Sequence, residues 1–241
     1  MRLGLNIDHI ATLREARKTF EPDLLKAALI AEQKGVDQIT VHIRSDRRHI
    51  QDADLKILKS NLRVPLNVEM CISSEMQSIA SKLKPDKLTL VPERANEITT
   101  EGGLDVCLNK HVIIPFLKHL ESTSPSTIIA IFVDPSPEQI EACHELSITE
   151  IEINTGKYAD ASDVYDIQAE IERIRKSAKM AKSLGIEIAA GHGLREANLK
   201  PILEIEEINE LNIGHHIIAD SIFVGLPKKI QQIVDLINRK S

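Results

Sequence analysis

Leu3-Gly4-Leu5-Asn6-Ile7-Asp8-His9-Ile10-Ala11 lies at the start of the chain, and its reading decides the fold. Apolar residues alternate with Gly4, Asn6 and Asp8, the period of two that marks a strand. In an open doubly wound sheet, the first strand feeds a glycine-rich phosphate turn. Here Ile7-Asp8-His9-Ile10-Ala11 follows with no glycine. Outward from this segment, strand-like runs rich in Ile, Val and Leu recur near 2–8, 37–43, 64–70, 86–91, 127–133, 149–154, 186–190 and 208–213. Helical patterns fall between them near 22–34, 52–61, 73–83, 105–121, 136–146, 163–184 and 195–204, and one more follows the last strand. Eight such units in 241 residues match a (β/α)8 barrel, which typically takes about 250. The expectation is an α/β TIM barrel, a single domain over residues 1–241 with extra helical segments.

Local signals agree. Ile167, Ile171, Ile174, Ala178 and Ala181 recur at helical spacing, and Gly185 closes that helix. Pro22, Pro65 and Pro85 sit at element boundaries, where a missing N–H costs least. Pro201 falls inside the seventh helical pattern, so that helix must kink or start later.

Four of the strand-like runs carry polar residues two apart near their C-terminal ends: Asn6 and Asp8, His42 and Arg44, Asn67 and Glu69, Glu152 and Asn154. Spacing of two puts both members on one face of a strand. Parallel strands covered on both faces should be apolar there. Barrel enzymes place their active sites at the C-terminal ends of the strands. The pairs are therefore expected to converge on one pocket, joined by Gly191-His192-Gly193 and Gly214-His215-His216 after strands seven and eight.

Composition excludes several functions. Net charge is −6 and aromatics make up only 2%, with no Trp, so neither a basic field nor stacking platforms for nucleic acid exist. Cys71, Cys107 and Cys143 are odd in number and widely spaced, which reads as reduced thiols rather than a disulfide framework. No run approaches the roughly 18 apolar residues of a membrane span. The expected location is the cytoplasm.

The loops after strands seven and eight of a barrel often hold phosphate through backbone N–H groups, and glycine lets the backbone approach an anion. Arg44 is in register with His42 and can grip an anion bidentately, whereas the cluster Ser45-Asp46-Arg47-Arg48-His49 reads as a solvated loop. His42, Glu69, Glu152 and His192 each sit at a different strand end, a set suited to several proton transfers around one cavity. No HExxH motif or zinc spacing occurs, although Asp8, His9, His42 and Glu69 could gather a divalent cation. Lys87 lies at the start of its strand, the wrong end for a Schiff base. Residues 92–103 form a long polar loop after strand four with lid character, Gly102-Gly103 as a hinge, and Thr99 or Thr100 in reach of ligand. A metal-dependent sugar-phosphate epimerase or aldolase and a non-catalytic phosphometabolite-binding barrel remain open on spacing alone.

The chain resembles the pyridoxine 5′-phosphate synthase family over nearly its whole length. The matching segments are NIDHIATLREAR (6–17), ITVHIRSDRRHI (39–50), PLNVEM (65–70), LVPE (90–93), TTEGGLDV (99–106), IEINTGKYAD (151–160), AGHGL (190–194) and ELNIGHHII (210–218). The resemblance implies condensation of 3-amino-2-oxopropyl phosphate with 1-deoxy-D-xylulose 5-phosphate, two small phosphorylated substrates. It yields pyridoxine 5′-phosphate, phosphate and water, in vitamin B6 biosynthesis, with neither metal nor organic cofactor. It further implies His42 and Glu69 as proton acceptors, His192 as proton donor and Glu152 as transition-state stabiliser. Asn6, Arg17, Gly193, Gly214 and His215 would hold the amino-ketone phosphate; Asp8, His9, Arg44, His49 and Thr99 would hold the deoxyxylulose phosphate. A homo-octamer is implied as well. Two positions depart from the family pattern: Asn154, where histidine is common, and Ala219-Asp220-Ser221, where a small residue and then arginine are usual.

Overall fold

A computed structural model of the protein describes residues 1–93 and 102–238. Eight parallel strands close into a barrel in sequence order, β1 Arg2–Asn6, β2 Gln38–His42, β3 Leu66–Met70, β4 Lys87–Leu90, β5 Ile128–Val133, β6 Glu150–Asn154, β7 Glu187–Gly191 and β8 Glu210–Ile213. The helices are α1 Asp8–Arg17, α2 Leu24–Gln33, α3 Asp52–Asn61, α4 Ser74–Leu83, α5 Val106–Thr123, α6 Pro137–Glu145, α7 Gly156–Asp160, α8 Val164–Ser183, α9 Leu199–Leu203, α10 His215–Val224 and α11 Leu226–Asn238. The expected TIM barrel with extra helical segments is what forms.

Helix starts follow side-chain caps. Asp23 accepts the Lys26 N–H (3.0 Å), Ser73 that of Met76 (3.2 Å) and Asp105 that of Leu108 (3.1 Å). A 3-10 turn at Glu196–Asn198 leads into α9, so Pro201 falls in the first turn, where its missing N–H has no intrahelical acceptor to lose. The late start, not the kink, is realised.

Three expectations change. The alternating pattern carries the first strand to residue 8, but β1 ends at Asn6 and Asp8 already begins α1, a helix that no sequence pattern marks. β2 ends at His42, so Arg44 stands in the following loop rather than on the strand. One helix was expected after β8, and two form, α10 and α11.

Strand alternation sorts the residues. Leu3, Leu5, Ile39, Val41, Leu66, Val68, Leu88, Ile131, Ile151, Ile188 and Leu211 are buried in the layer between strands and helices. The alternate set points into the barrel and is largely polar: Gln38, Thr40, Asn67, Lys87, Thr89, Glu150, Glu152, Glu210 and Asn212, with Ala130, Phe132 and Ala189 as apolar members. Most barrels fill this space with branched aliphatics. Here it is filled by hydrogen bonds. Thr89 Oγ1 donates to Asn67 Oδ1 (2.9 Å), and Gln38 Nε2 donates to Glu210 Oε1 (3.2 Å). Asn67 is thus an interior residue below the pocket.

Candidate active site

Register places His42 directly beside Glu69 across the β2–β3 pair, and Asn154 beside Gly191 across β6–β7. The His42 Nδ1 atom lies 3.9 Å from Glu69 Oε2, and its Nε2 lies 3.3 Å from Glu93 Oε1. Asp8 anchors this corner from the first turn of α1. Its Oδ1 accepts the His42 backbone N–H (2.9 Å) and its Oδ2 accepts from Asn6 Nδ2 (3.0 Å). Asn6 Oδ1 in turn accepts the Asp8 N–H (2.9 Å). The pair Asn6–Asp8 is therefore a turn that joins strand to helix, not two neighbours on a strand face.

Electrostatics mark two carboxyls. Burial pushes Glu69 well above the ordinary carboxylate range, and the nearby charges of Glu152 and Asp8 push the same way. Burial raises Glu152 to about 7, against the Asn212 hydrogen bond and the Lys87 charge and with the help of Glu210. Asn212 Nδ2 donates to Glu152 Oε2 at 2.7 Å. Gly191 makes room for this group: a Cβ there would sit 2.1 Å from Glu152 Oε1.

His192 has a left-handed backbone, φ 82°, unusual for a residue with a side chain. Its carbonyl accepts from Thr155 Oγ1 at 2.6 Å, which helps hold the strained turn. Its ring faces Phe132, centroids 6.3 Å apart, and burial lowers its basicity so that it rests neutral near pH 7. Gly193 is also left-handed, φ 73°, and a Cβ there would strike Ala159 at 2.4 Å.

The remaining predicted residues separate. Gly214 is the N-cap of α10 and makes no side-chain cap bond, so first-turn N–H groups of α10 lack intrahelical acceptors. A Cβ on Gly214 would meet Asn6 at 2.9 Å. His215 and His9 pack with ring centroids 4.8 Å apart, and burial lowers the basicity of His9. His49 lies 6.1 Å from the His42 ring and is likewise lowered by burial. Arg44 is 4% exposed, with Asp46 at 3.7 Å and a buried Nε that finds no hydrogen-bond partner. Arg14 and Arg47 contrast with it, since each is bound to carboxylates: Arg14 to Asp54 (2.7 Å) and Arg47 to Asp52 (2.9 Å). Arg17 is exposed at the far end of α1, about 14 Å of helix rise from Asp8. The structure does not bring it to this cluster. Thr99 and most of the expected lid lie outside the described residues. Gly103 is no free hinge, because a Cβ would fall 2.1 Å from the Asp134 backbone nitrogen.

Sequence reasoning overlooked three members. Glu93 ends the segment LVPE and reaches His42; its position just after a strand end was the available signal. Asn212 orients Glu152 from β8. Asp134, just past β5, accepts from Asn154 Nδ2 (2.8 Å) and from the Gly103 N–H (2.9 Å). Asn154 is thereby a framework residue of the rim, and its amide oxygen also accepts the Gly156 N–H (2.9 Å).

Among the described residues two acidic–histidine groups come within cation-binding reach. In Asp8–His42–Glu69, both Asp8 oxygens already accept N–H bonds. In Glu196–His216–Asp220, the Lys229 ammonium occupies the centre, 2.8 Å from Glu196 and 2.7 Å from Asp220. The unusual Asp220 is thus neutralised by a lysine of α11.

A family model described as pyridoxal phosphate biosynthesis protein PdxJ matches residues 3–239. The chain belongs to the PdxJ family. Curated relatives agree: a pyridoxine 5′-phosphate synthase of Sulfurihydrogenibium sp. (strain YO3AOP1) is 50% identical over 98% of both chains. One from Prochlorococcus marinus (strain NATL1A) is 49% identical over 98% of this chain and 95% of its own. Among solved structures, KGPDC from Streptococcus mutans superposes with TM-score 0.67 at 13% identity, over 99% of this chain and 97% of its own. Phosphoribosyl anthranilate isomerase from Thermus thermophilus follows with 0.58 at 13%, over 98% and 100%. At that identity the likeness to solved structures is one of fold. The PdxJ match, by contrast, runs through each strand end described above.

Proposed function

We propose that this pocket performs the ring-closing condensation of 3-amino-2-oxopropyl phosphate with 1-deoxy-D-xylulose 5-phosphate. The general activity, a pyridoxine 5′-phosphate synthase of vitamin B6 biosynthesis, follows from membership of the PdxJ family. One observation supports the site assignment most: Glu69, beside His42 (3.9 Å), and Glu152, whose charge reaches Glu69, are both buried carboxyls raised above the ordinary range. Groups that exchange protons near neutral pH are what successive imine formation, dehydration and enolisation require.

In this reading the substrate amine attacks the ketone to give an imine, with loss of water. Glu69 and His42 move the protons of dehydration and enolisation, and Glu152, oriented by Asn212, stabilises the charge that develops. Inorganic phosphate leaves from the deoxyxylulose part. His192 rests neutral, so it gives a proton only after receiving one, which places its acid role late, at ring closure. Asn6, Gly193, Gly214 and His215 hold the amino-ketone phosphate at the glycine turns and the start of α10. Asp8, His9, Arg44 and His49 hold the other substrate, the buried Arg44 supplying the charge. Arg17 and Thr99 belong to the phosphate contacts by resemblance alone. Holding both phosphates supplies the orientation that a free two-substrate condensation lacks.

The homo-octamer and a cytoplasmic location belong to the same reading. Phe223 at 86% and Phe20 at 82% exposure leave apolar rings that a subunit contact would cover, and light scattering measures the assembly. No described helix is long and apolar enough to cross a membrane. The activity test mixes the purified chain with both substrates, without added metal and with a chelator. Pyridoxine 5′-phosphate and released phosphate are expected. Turnover that requires a divalent ion would point to the epimerase or aldolase reading instead, and binding without turnover to a phosphometabolite carrier.

A further inference from the structure

We propose that Glu93 is a positioning residue for His42, its carboxylate deciding which ring nitrogen carries the proton; the kinetic part of this rests on the synthase reading. Glu93 stands just past β4 with a side chain only 8% exposed. Its far side is fixed by the loop after β2. The Ser45 N–H donates to both carboxylate oxygens (3.3 and 3.2 Å), and the Ser45 hydroxyl donates to Oε2. These bonds leave Oε1 facing His42 Nε2 at 3.3 Å. Alignment there falls short of a full hydrogen bond, as is common in resting sites whose contacts tighten around substrate.

The chemistry of the neighbours fixes the direction. Burial pushes the Glu93 carboxyl up, but its contacts with His42 and Ser45 outweigh that and hold it down to about 2, so it only accepts. The Cys71 thiol beside it is pushed up to about 11 by burial and by Glu93, so it adds no competing charge. A neutral imidazole has one N–H and one lone pair. Facing an obligate acceptor, Nε2 must be the N–H. The lone pair then falls on Nδ1, which faces Glu69 Oε2 at 3.9 Å. Glu69 is the carboxyl that burial and the charges of Glu152 and Asp8 push well above its ordinary range. The result is a directed row: Glu69 toward Nδ1, and Nε2–H toward Glu93. The opposite tautomer sets a lone pair against the Glu93 charge. This is the base-and-orienter arrangement, with a carboxylate behind the ring. Asp8 also stands near the ring, a carboxylate oxygen within 4.8 Å of a ring nitrogen. Both its oxygens are engaged by N–H donors and it forms no ion pair with the ring, whereas Glu93 Oε1 lies 3.3 Å from Nε2.

The test is the nitrogen spectrum of 15N-histidine-labelled full-length protein with the ring neutral, the His42 signals assigned by His42→Gln. Wild type should show a protonated-type Nε2 and a lone-pair Nδ1. Glu93→Gln should lose this bias, while Ser45→Ala, which keeps the carboxylate, should retain it. In steady-state kinetics Glu93→Gln should lower kcat by about tenfold or more. Both KM values should stay within about twofold, and Glu93→Asp should recover part of the loss. An Nδ1–H tautomer in wild type overturns the proposal even if the variants fail to fold. So does an unchanged tautomer in Glu93→Gln, or a kcat unaffected by it. The tautomer needs no substrate, so failure of the synthase reading would show separately, as absent turnover with the ring bias intact.

Discussion

The lower and upper halves of the barrel interior are built from the same residue types, and they behave oppositely. Below, Lys87 reaches Glu150 (2.6 Å) and Glu210 (3.2 Å), while Arg2 reaches Glu210 from the other side (3.2 Å). Burial alone would lower Lys87, but the two carboxylates outweigh it and keep the ammonium charged. Lys87 is thus a framework cation rather than a Schiff-base nucleophile. Above, among the described residues, Glu69 has only the His42 ring beside it (3.9 Å), Glu152 has one amide, and Arg44 has an unmatched Nε. A buried charge that is paired is structural; a buried group left short of partners is available to a ligand. Partnering, rather than residue type, separates framework from chemistry here.

The sharpest way to break this comparison is in the lower half. Lys87→Met leaves Glu150 and Glu210 without their shared cation, and should cost about 3–5 kcal/mol of stability. Calorimetry should show a large fall in Tm; a loss below about 1 kcal/mol would mean the network is not structural. In the upper half the outcome should invert. Glu69→Gln should lower turnover by about a hundredfold or more with Tm unchanged or raised, and His192→Asn should behave alike. Near-normal turnover in either variant removes that residue from the mechanism.

Gly191→Ala tests the boundary between the halves. Its new methyl would press on Glu152 Oε1, so turnover should fall by about tenfold with little change in substrate binding. An unaffected rate would show that Glu152 need not hold its place. The smallest effect concerns pH. Glu152 is raised in the folded protein from an ordinary 4.5 to about 7. The folded state therefore binds more protons than the unfolded one across this window. Its contribution is fully present below pH 4.5 and lost as pH climbs through about 7. Tm should decline from pH 5 to 7.5, and Glu152→Gln, which still accepts from Asn212, should flatten that decline. An equal slope in both proteins would contradict the shift.

Strand positions were legible because short runs rich in Ile, Val and Leu recur between helical patterns, and the polar residues alternating within four of those runs pointed to the pocket. The helix α1 was not legible, since Ile7 offers no side-chain cap and Asp8 continues the alternating pattern of β1 across the join. His42, Glu69, Glu152 and His192 could be found by their strand ends alone. Their partners could not. Asn212, Asp134 and Glu93 look like ordinary loop and strand residues until closure of the sheet sets them against Glu152, Asn154 and His42. Asn154 shows the converse, a residue flagged by spacing that serves the rim.

The seam of the barrel joins the first strand to the last. Leu5 pairs with Ile213, and the Asn6 side chain lies under Gly214. The acid–base residues sit in the middle of the chain, but the proposed phosphate cradle draws on both its ends. During synthesis His42, Glu69 and Glu152 all leave the ribosome before the cradle can exist. A partly made or clipped chain thus carries reactive groups with nothing to hold a substrate against them, and activity itself reports that the seam has closed.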